Sequence, residues 1–241
     1  MVFKKEANGV YSLSGAFGLE IGTASRAVNY IDYSMDDDQI IWDEKALLSE
    51  ITHLPEKGII ILNQLHEDRI VIVDSPIRDN FLFFDDADGI ITNIPEVCIV
   101  IRSADCVPVY AFDSHNRILG AAHSGWRGCM LSISKKLIIK MKQIFSSNNR
   151  DIHVFILPSI GPESYVIGND VASLFERDLY VRDKNIYLDL WKNIERSLIE
   201  EGIPEVNIFN SRICTLQNND KFFSYRNKDS ARNLNYGFIK L

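Results

Sequence analysis

Apolar residues follow two rhythms along the chain. Short runs rich in Val and Ile at 58–62, 69–73, 89–93, 97–101, 107–112, 118–122 and 152–157 are too short and too β-branched for helices, and they predict buried strands. A turn at 113–116 joins two of them into a hairpin that sets Cys106 beside His123. After Gly128 the rhythm changes. Met130, Ile133, Leu137, Ile138, Met141, Ile144 and Phe145 recur in steps of three and four, the stripe of an amphipathic helix. Helices are also predicted over 36–51, opened by Asp36-Asp37-Asp38, over 170–177, and over 188–201, ended by Gly202 with Pro204 beyond. Further strands are expected at 10–13, 17–21, 206–209, 222–226 and 236–241, and a loop at 76–86. Several strands follow one another without a helix between, so a purely alternating βαβ sheet is not expected. No Ser/Gly/Pro linker divides the chain, and one α+β domain over 1–241 is expected.

Charge narrows the function. The net charge is −7 with no basic block, which argues against nucleic acid as a partner. No apolar run reaches the length of a membrane span, and the start lacks the apolar core of a signal peptide. A soluble, cytoplasmic monomer or homodimer is expected. Cys98, Cys106, Cys129 and Cys214 form no CxxC pair, so zinc-finger and thioredoxin chemistry are out. Each is reduced in a cytoplasm, and serves as core filler or as chemistry.

Cys106 stands apart because Ser103, Ala104 and Asp105 interrupt an apolar stretch just before it. His66, Cys106 and His123 all fall at predicted strand ends. Two imidazoles and a thiolate are a catalytic zinc set, with the fourth position open, and soft sulfur also admits copper. The same residues support a second chemistry, a Cys106–His123 nucleophilic dyad oriented by Asp105 or Gln64, which would not need His66. Cys98, Cys129 and Cys214 read as packing, His115 as a solvated turn residue, and His53 and His153 as surface residues. Gly125-Trp126-Arg127-Gly128 offers a helix start and an arginine to an anion, although the glycines also serve a tight strand-to-helix turn. Arg226 and Arg232 are further candidates for a phosphate or sugar, or simply surface charges.

The segments SADC at 103–106 and AHSGWRG at 122–128 resemble the YfiH-like laccase-domain family of purine nucleoside phosphorylases, formerly described as multicopper polyphenol oxidases. The likeness extends to NQLH at 63–66, PSIGPESYVIG at 158–168, LDL at 188–190, Cys214-Thr215 and FFSYR at 222–226. It implies a layered α/β/β/α sandwich with mixed sheets. It implies a zinc site on His66, Cys106 and His123, and phosphorolysis of adenosine, inosine and methylthioadenosine. Adenosine deamination and copper-dependent phenol oxidation are implied beside it. Asp105 is the candidate proton-handling residue; Gln64, Arg127, Arg226 and Arg26 are the candidates for substrate and phosphate. The family's N-terminal Thr-Arg-x-Gly-Gly-x-Ser block is represented here by GTASRAVNY, without the double glycine. A catalytically silent partner protein is the third expectation.

Overall fold

The computed structural model describes residues 4–6, 9–14, 17–29, 31–75 and 86–241. Most of the loop expected at 76–86 lies outside them. Two six-stranded mixed sheets stack face to face. The first runs in the order Lys4–Lys5, Tyr11–Ser14, Leu19–Ala24, Asn233–Ile239, Cys98–Ser103, Ile59–Ile61. The second runs Ile208–Asn210, Ile152–Ile156, Val107–Asp113, Ile118–Ser124, Gly89–Thr92, Ile70–Val73. Three pairs are parallel and the others antiparallel within these sheets, among them the expected hairpin, in which Val107 pairs with Ser124 and Asp113 with Ile118.

Alternation along the strands builds the layers. Ile99 and Ile101 of the first sheet meet Tyr110, Phe112, Leu119 and Ala121 of the second in the core between the sheets. Cys98 and Val100 point the other way, against Ile41, Leu47 and Leu48 of the helix Asp37–Thr52. Val109, Ala111 and Ala122 pack on the helices Ile133–Phe145 and Leu190–Glu200. The order is helix, sheet, sheet, helices, as the resemblance implies. Each fully buried Leu or Ile stabilises this arrangement by about 1.5–3 kcal/mol relative to exposure. Asp36 caps its helix by accepting from the Gln39 amide. No helix among the described residues is long and apolar enough to cross a membrane.

Five expectations are corrected. The helix after Gly125 is broken into Trp126–Met130 and Ile133–Phe145, because Ser132 takes a left-handed conformation at φ 57°. Residues 222–226 are not a strand. Phe222 and Phe223 are buried, but side chains satisfy this segment: the Phe223 amide donates to Asn233 and the Ser224 amide to Asp229. The helix expected at 170–177 shortens to Asn169–Ala172, and an unforeseen hairpin, Leu179–Arg182 with Asn185–Leu188, follows. Leu188 ends that hairpin, so the next helix starts at Leu190. His153 is half-buried and stacks on Phe17, with ring centroids 4.2 Å apart, rather than lying free on the surface.

Candidate metal centre

Three chain crossings meet at one end of the sandwich. His66 ends the NQLH segment that leaves the strand Ile59–Ile61 of the first sheet. Cys106 lies where the chain passes from the first sheet, at Ser103, to the second, at Val107. His123 sits near the end of Ile118–Ser124, opposite Pro108, on the same strand face as Ala121 and Leu119. It therefore points from the second sheet toward the side of the first. The ligand atoms of His66, Cys106 and His123 all lie within 4.8 Å of one another. Cys106 Sγ is 3.9 Å from His66 Nε2, and the two imidazole rings meet edge-on, 4.7 Å between centroids.

Asp88, at the start of Gly89–Thr92, organises this set. Its side chain is fully buried. One carboxylate oxygen accepts from His123 Nδ1 at 2.8 Å, and the Asp88 carbonyl accepts from the His123 amide at 2.7 Å. This bond places the Nδ1 proton and leaves Nε2 as the ligand atom, the carboxylate–histidine arrangement common behind metals. The same carboxylate accepts the amides of Leu65, His66 and Glu67 at 2.9, 3.0 and 2.8 Å. Those three bonds hold His66 in a left-handed conformation at φ 62°. One buried acid thus fixes two of the three ligands.

Electrostatics favour a thiolate. Burial alone would raise the Cys106 thiol, but the imidazoles of His123 and His66 outweigh it and bring the thiol down to about 6. Burial would lower His123, but the Cys106 thiolate and the Asp88 carboxylate push it up to about 9. For Asp88, burial is outweighed by hydrogen bonds from His123 and the Glu67 and Leu65 amides, so its carboxyl stays below the ordinary range.

Asp105 braces the Cys106 turn. It takes φ 90°, an unusual conformation for a non-glycine residue. Its carboxylate accepts from the Thr215 hydroxyl at 2.6 Å and the Arg226 amide at 2.8 Å, and its carbonyl accepts from the Ile160 amide at 2.9 Å. Three distant sequence motifs, PSIGP, Cys214-Thr215 and FFSYR, therefore converge on this one residue. Asn233 and Asn235 complete the brace by donating to the carbonyls of Ser103 and Ile101.

The centre opens into a cleft of about 710 Å³, whose walls include Gln64, Asp105, Arg102, Arg127, Arg226 and Arg232. Gln64 makes two bonds to the Arg102 backbone and ties the NQLH segment to the neighbouring strand. The Arg127 guanidinium lies over Trp126 at 4.3 Å, and that of Arg226 over Tyr165 at 4.8 Å while donating to the Val166 carbonyl. Arg26 is elsewhere: it pairs with Asp229 at 2.7 Å, stacks on Phe223, and does not line the cleft. Cys98, Cys129 and Cys214 are buried away from this set. Sequence reading singled out the three residues that the structure brings together as a candidate metal set, but missed Asp88 and Arg102. For Asp88 the signal was an acid directly before a buried strand; for Arg102 it was a cation inside an apolar alternation.

Gly125 permits the geometry. A Cβ at this position would lie 2.7 Å from Cys106 Sγ, closer than contact allows, although φ −72° suits any residue. Gly125→Ala is expected to displace the sulfur and weaken metal binding by this candidate set about tenfold or more, in the range of other disturbances of ligand orientation. A chelator-competition titration measures it, and an unchanged affinity would refute the steric account.

The sequence matches the family described as multi-copper polyphenol oxidoreductase laccase over residues 18–240. It is 35% identical over 188 residues to a purine nucleoside phosphorylase of Clostridium acetobutylicum, covering 76% of this chain and 77% of the relative. It is 27% identical over 239 residues to adenosine deaminase RL5 of an unknown prokaryotic organism, covering 93% and 91%. Among solved structures it resembles YlmD of Geobacillus stearothermophilus with a TM-score of 0.89 at 23% identity, covering 100% and 99% of the two chains. Bacillus licheniformis YfiH, described as a hypothetical protein, gives 0.87 at 24%, covering 99% of each. These two likenesses speak for the fold.

Proposed function

Because the chain belongs to the multi-copper polyphenol oxidoreductase laccase family, we propose that it is a metal-dependent purine nucleoside phosphorylase, with adenosine deamination as a second reaction of the same site. One observation carries the reading: His66, Cys106 and His123 converge, backed by Asp88, on a cleft large enough for a nucleoside. The donor set fits zinc, since its nitrogens and sulfur lie close together, Cys106 is favoured as a thiolate, and the Asp88 bond to His123 Nδ1 leaves Nε2 as the atom that could face a metal. A zinc held by His66, Cys106 and His123 would supply Lewis-acid polarisation.

The chain's own residues do the remainder. Tyr225, 69% exposed on the cleft wall, offers an aromatic face to a purine. The cleft arginines attract phosphate. An oxygen of hydrogen phosphate bonds to the ribose anomeric carbon as the glycosidic bond breaks, and the bonding pair leaves with the purine nitrogen. The phosphate's own proton balances that nitrogen. Asp105 holds the Cys106 turn through the bonds from Thr215 and Arg226, so its part in this reading is positioning. The substrates are adenosine, inosine and methylthioadenosine.

Zinc-loaded protein incubated with adenosine is expected to release adenine only when phosphate is present, with ribose 1-phosphate formed in equal amount. Chromatography of the products checks this, and no phosphate-dependent adenine would sink the reading. Elemental analysis of freshly purified protein distinguishes zinc from copper. A second reading is favoured by one observation, the low thiol of Cys106 facing the raised imidazole of His123, which is the charge state of a cysteine hydrolase dyad. That activity would survive chelators and loss of His66.

A further inference from the structure

Tyr165 is a buried residue whose polar end is left over. It is 8% exposed, and it lines the cleft. Tyr110 and Tyr180 set their hydroxyls on carbonyls, of Asn235 at 2.7 Å and of Pro162 at 2.5 Å. The Tyr165 hydroxyl meets no acceptor among the described residues, and it is not sealed from solvent either. The Arg226 guanidinium, 4.8 Å over the ring, has donors alone, so it leaves the phenol's own hydrogen free. A phenylalanine would pack as well here, and the hydroxyl calls for a use at the cleft.

Hydrogen bonds on both sides of Tyr165 fix it near the metal set. Upstream, the Ile160 amide donates to the Asp105 carbonyl. Directly downstream, the Val166 carbonyl accepts from Arg226, whose amide donates to the Asp105 carboxylate. The Tyr165 carbonyl itself accepts from the Leu188 amide at 3.1 Å. The phenol is thus held on the wall that carries the Cys106 turn. Burial and the Cys106 thiolate push it up to about 12, against the Arg226 guanidinium, so it stays a donor at neutral pH. Other polar groups of this wall are spent on the protein: Gln64 on the Arg102 backbone, Asp105 on Thr215 and Arg226.

We propose that the Tyr165 hydroxyl donates a hydrogen bond to N7 of the purine ring and is a further catalytic residue of the site; its role in turnover rests on the phosphorolysis reading above. As a phosphate oxygen bonds to the anomeric carbon, the glycosidic pair moves onto N9 and is shared through the imidazole ring with N7. In the nucleoside N9 is still bonded to ribose, so N7 is the nitrogen of that ring with a free lone pair. A donor fixed there gains strength as the charge grows. The phenol keeps its proton throughout, and the phosphate proton balances the departing base as before.

The test begins with calorimetric titrations of zinc-loaded protein in phosphate-free buffer. The ligands are inosine, which has no amino group to lose, and 7-deazainosine, which has carbon in place of N7. The unmodified protein is expected to bind inosine about fivefold or more tighter than 7-deazainosine, the net worth of one hydrogen bond. Tyr165→Phe is expected to bind inosine about fivefold more weakly and 7-deazainosine as before. With phosphate added, Tyr165→Phe is expected to lower kcat for inosine about tenfold or more, with a smaller rise in KM. Zinc content and melting temperature stay at parental values, because the ring still packs. Equal losses for both ligands, or no loss for inosine, overturn the contact. So does equal binding of inosine and 7-deazainosine by the unmodified protein, which needs no variant to fold. An unchanged kcat overturns the catalytic role. Inosine binding that depends on Tyr165 in a protein that releases no hypoxanthine refutes the phosphorylase reading and leaves the N7 contact standing.

Discussion

His66→Ala is expected to strip the metal and to lower phosphorolysis kcat/KM by about 100-fold or more, because a three-residue set loses one of its ligands and second-sphere losses alone cost 10- to 100-fold. The fold should not notice. His66 is exposed, and its loop is held by backbone amides on Asp88, so its imidazole carries little packing. Stability is expected to stay within about 0.5 kcal/mol of the parent. Cys106→Ser should behave alike in metal content, since a hydroxyl is a poor substitute for a thiolate. The paired measurements are elemental zinc per chain and adenine release. Full metal loading and full turnover after His66→Ala would remove the metal-centre reading. Loss of phosphorolysis with retention of a chelator-resistant hydrolytic activity would transfer the site to the Cys106–His123 dyad.

How much of this was legible depends on the range over which each interaction acts. The hairpin carrying Cys106 and His123 could be read because its strands are apolar on both faces and its turn is short. The stripe from Ile133 to Met141 was equally plain, yet the break ahead of it was not. Ser132 turns left-handed to let Ile133 and Leu137 reach the core, and that is a tertiary demand. The hairpin Leu179–Leu188 is half-exposed, so alternation gives little signal; stacking of Tyr180 on Tyr187, 5.0 Å between centroids, helps hold it. Phe222-Phe223 looked like a strand because two buried aromatics resemble one locally. Their partners, Asn233 and Asp229, decide otherwise.

The site shows the same division. The candidate ligand residues announce themselves by type, being rare histidines and an oddly placed cysteine. The groups that aim them do so only faintly, since an acid directly before a buried strand is a weak mark among the chain's other acids. Asp88 becomes meaningful only when folding brings it against Leu65, His66, Glu67 and His123. Asp105 is similar. Its neighbourhood was singled out by the polar interruption before Cys106, while its binding to Thr215 and Arg226 emerges only in three dimensions. Arg26, the sequence candidate for a substrate-facing arginine, is tied to Asp229, and Arg102 enters the cleft instead.

Asp88→Asn is the most informative single-atom change in the molecule. The carboxylate accepts four hydrogen bonds, three from backbone amides and one from His123 Nδ1, in a fully buried position. An asparagine retains one acceptor oxygen and turns an NH2 group toward donors that have nowhere else to go. Leaving buried donors unsatisfied, and removing the charge that faces His123, is expected to cost about 2–4 kcal/mol of stability. The second effect falls on the ligands. Without the Nδ1 acceptor the His123 ring is free to change tautomer and orientation, and the 65–67 turn loses the bonds that hold His66 in its left-handed conformation. On the metal-centre reading, zinc affinity is therefore expected to fall by about 10- to 100-fold even though all three candidate ligands are present. Excess zinc should recover part of the melting temperature, because a ligand that binds only the folded state shifts the unfolding equilibrium. Thermal melts with and without zinc, beside a chelator-competition titration, read both effects. An Asp88→Asn protein with parental zinc affinity would show that His66 and His123 are aimed by something other than this carboxylate.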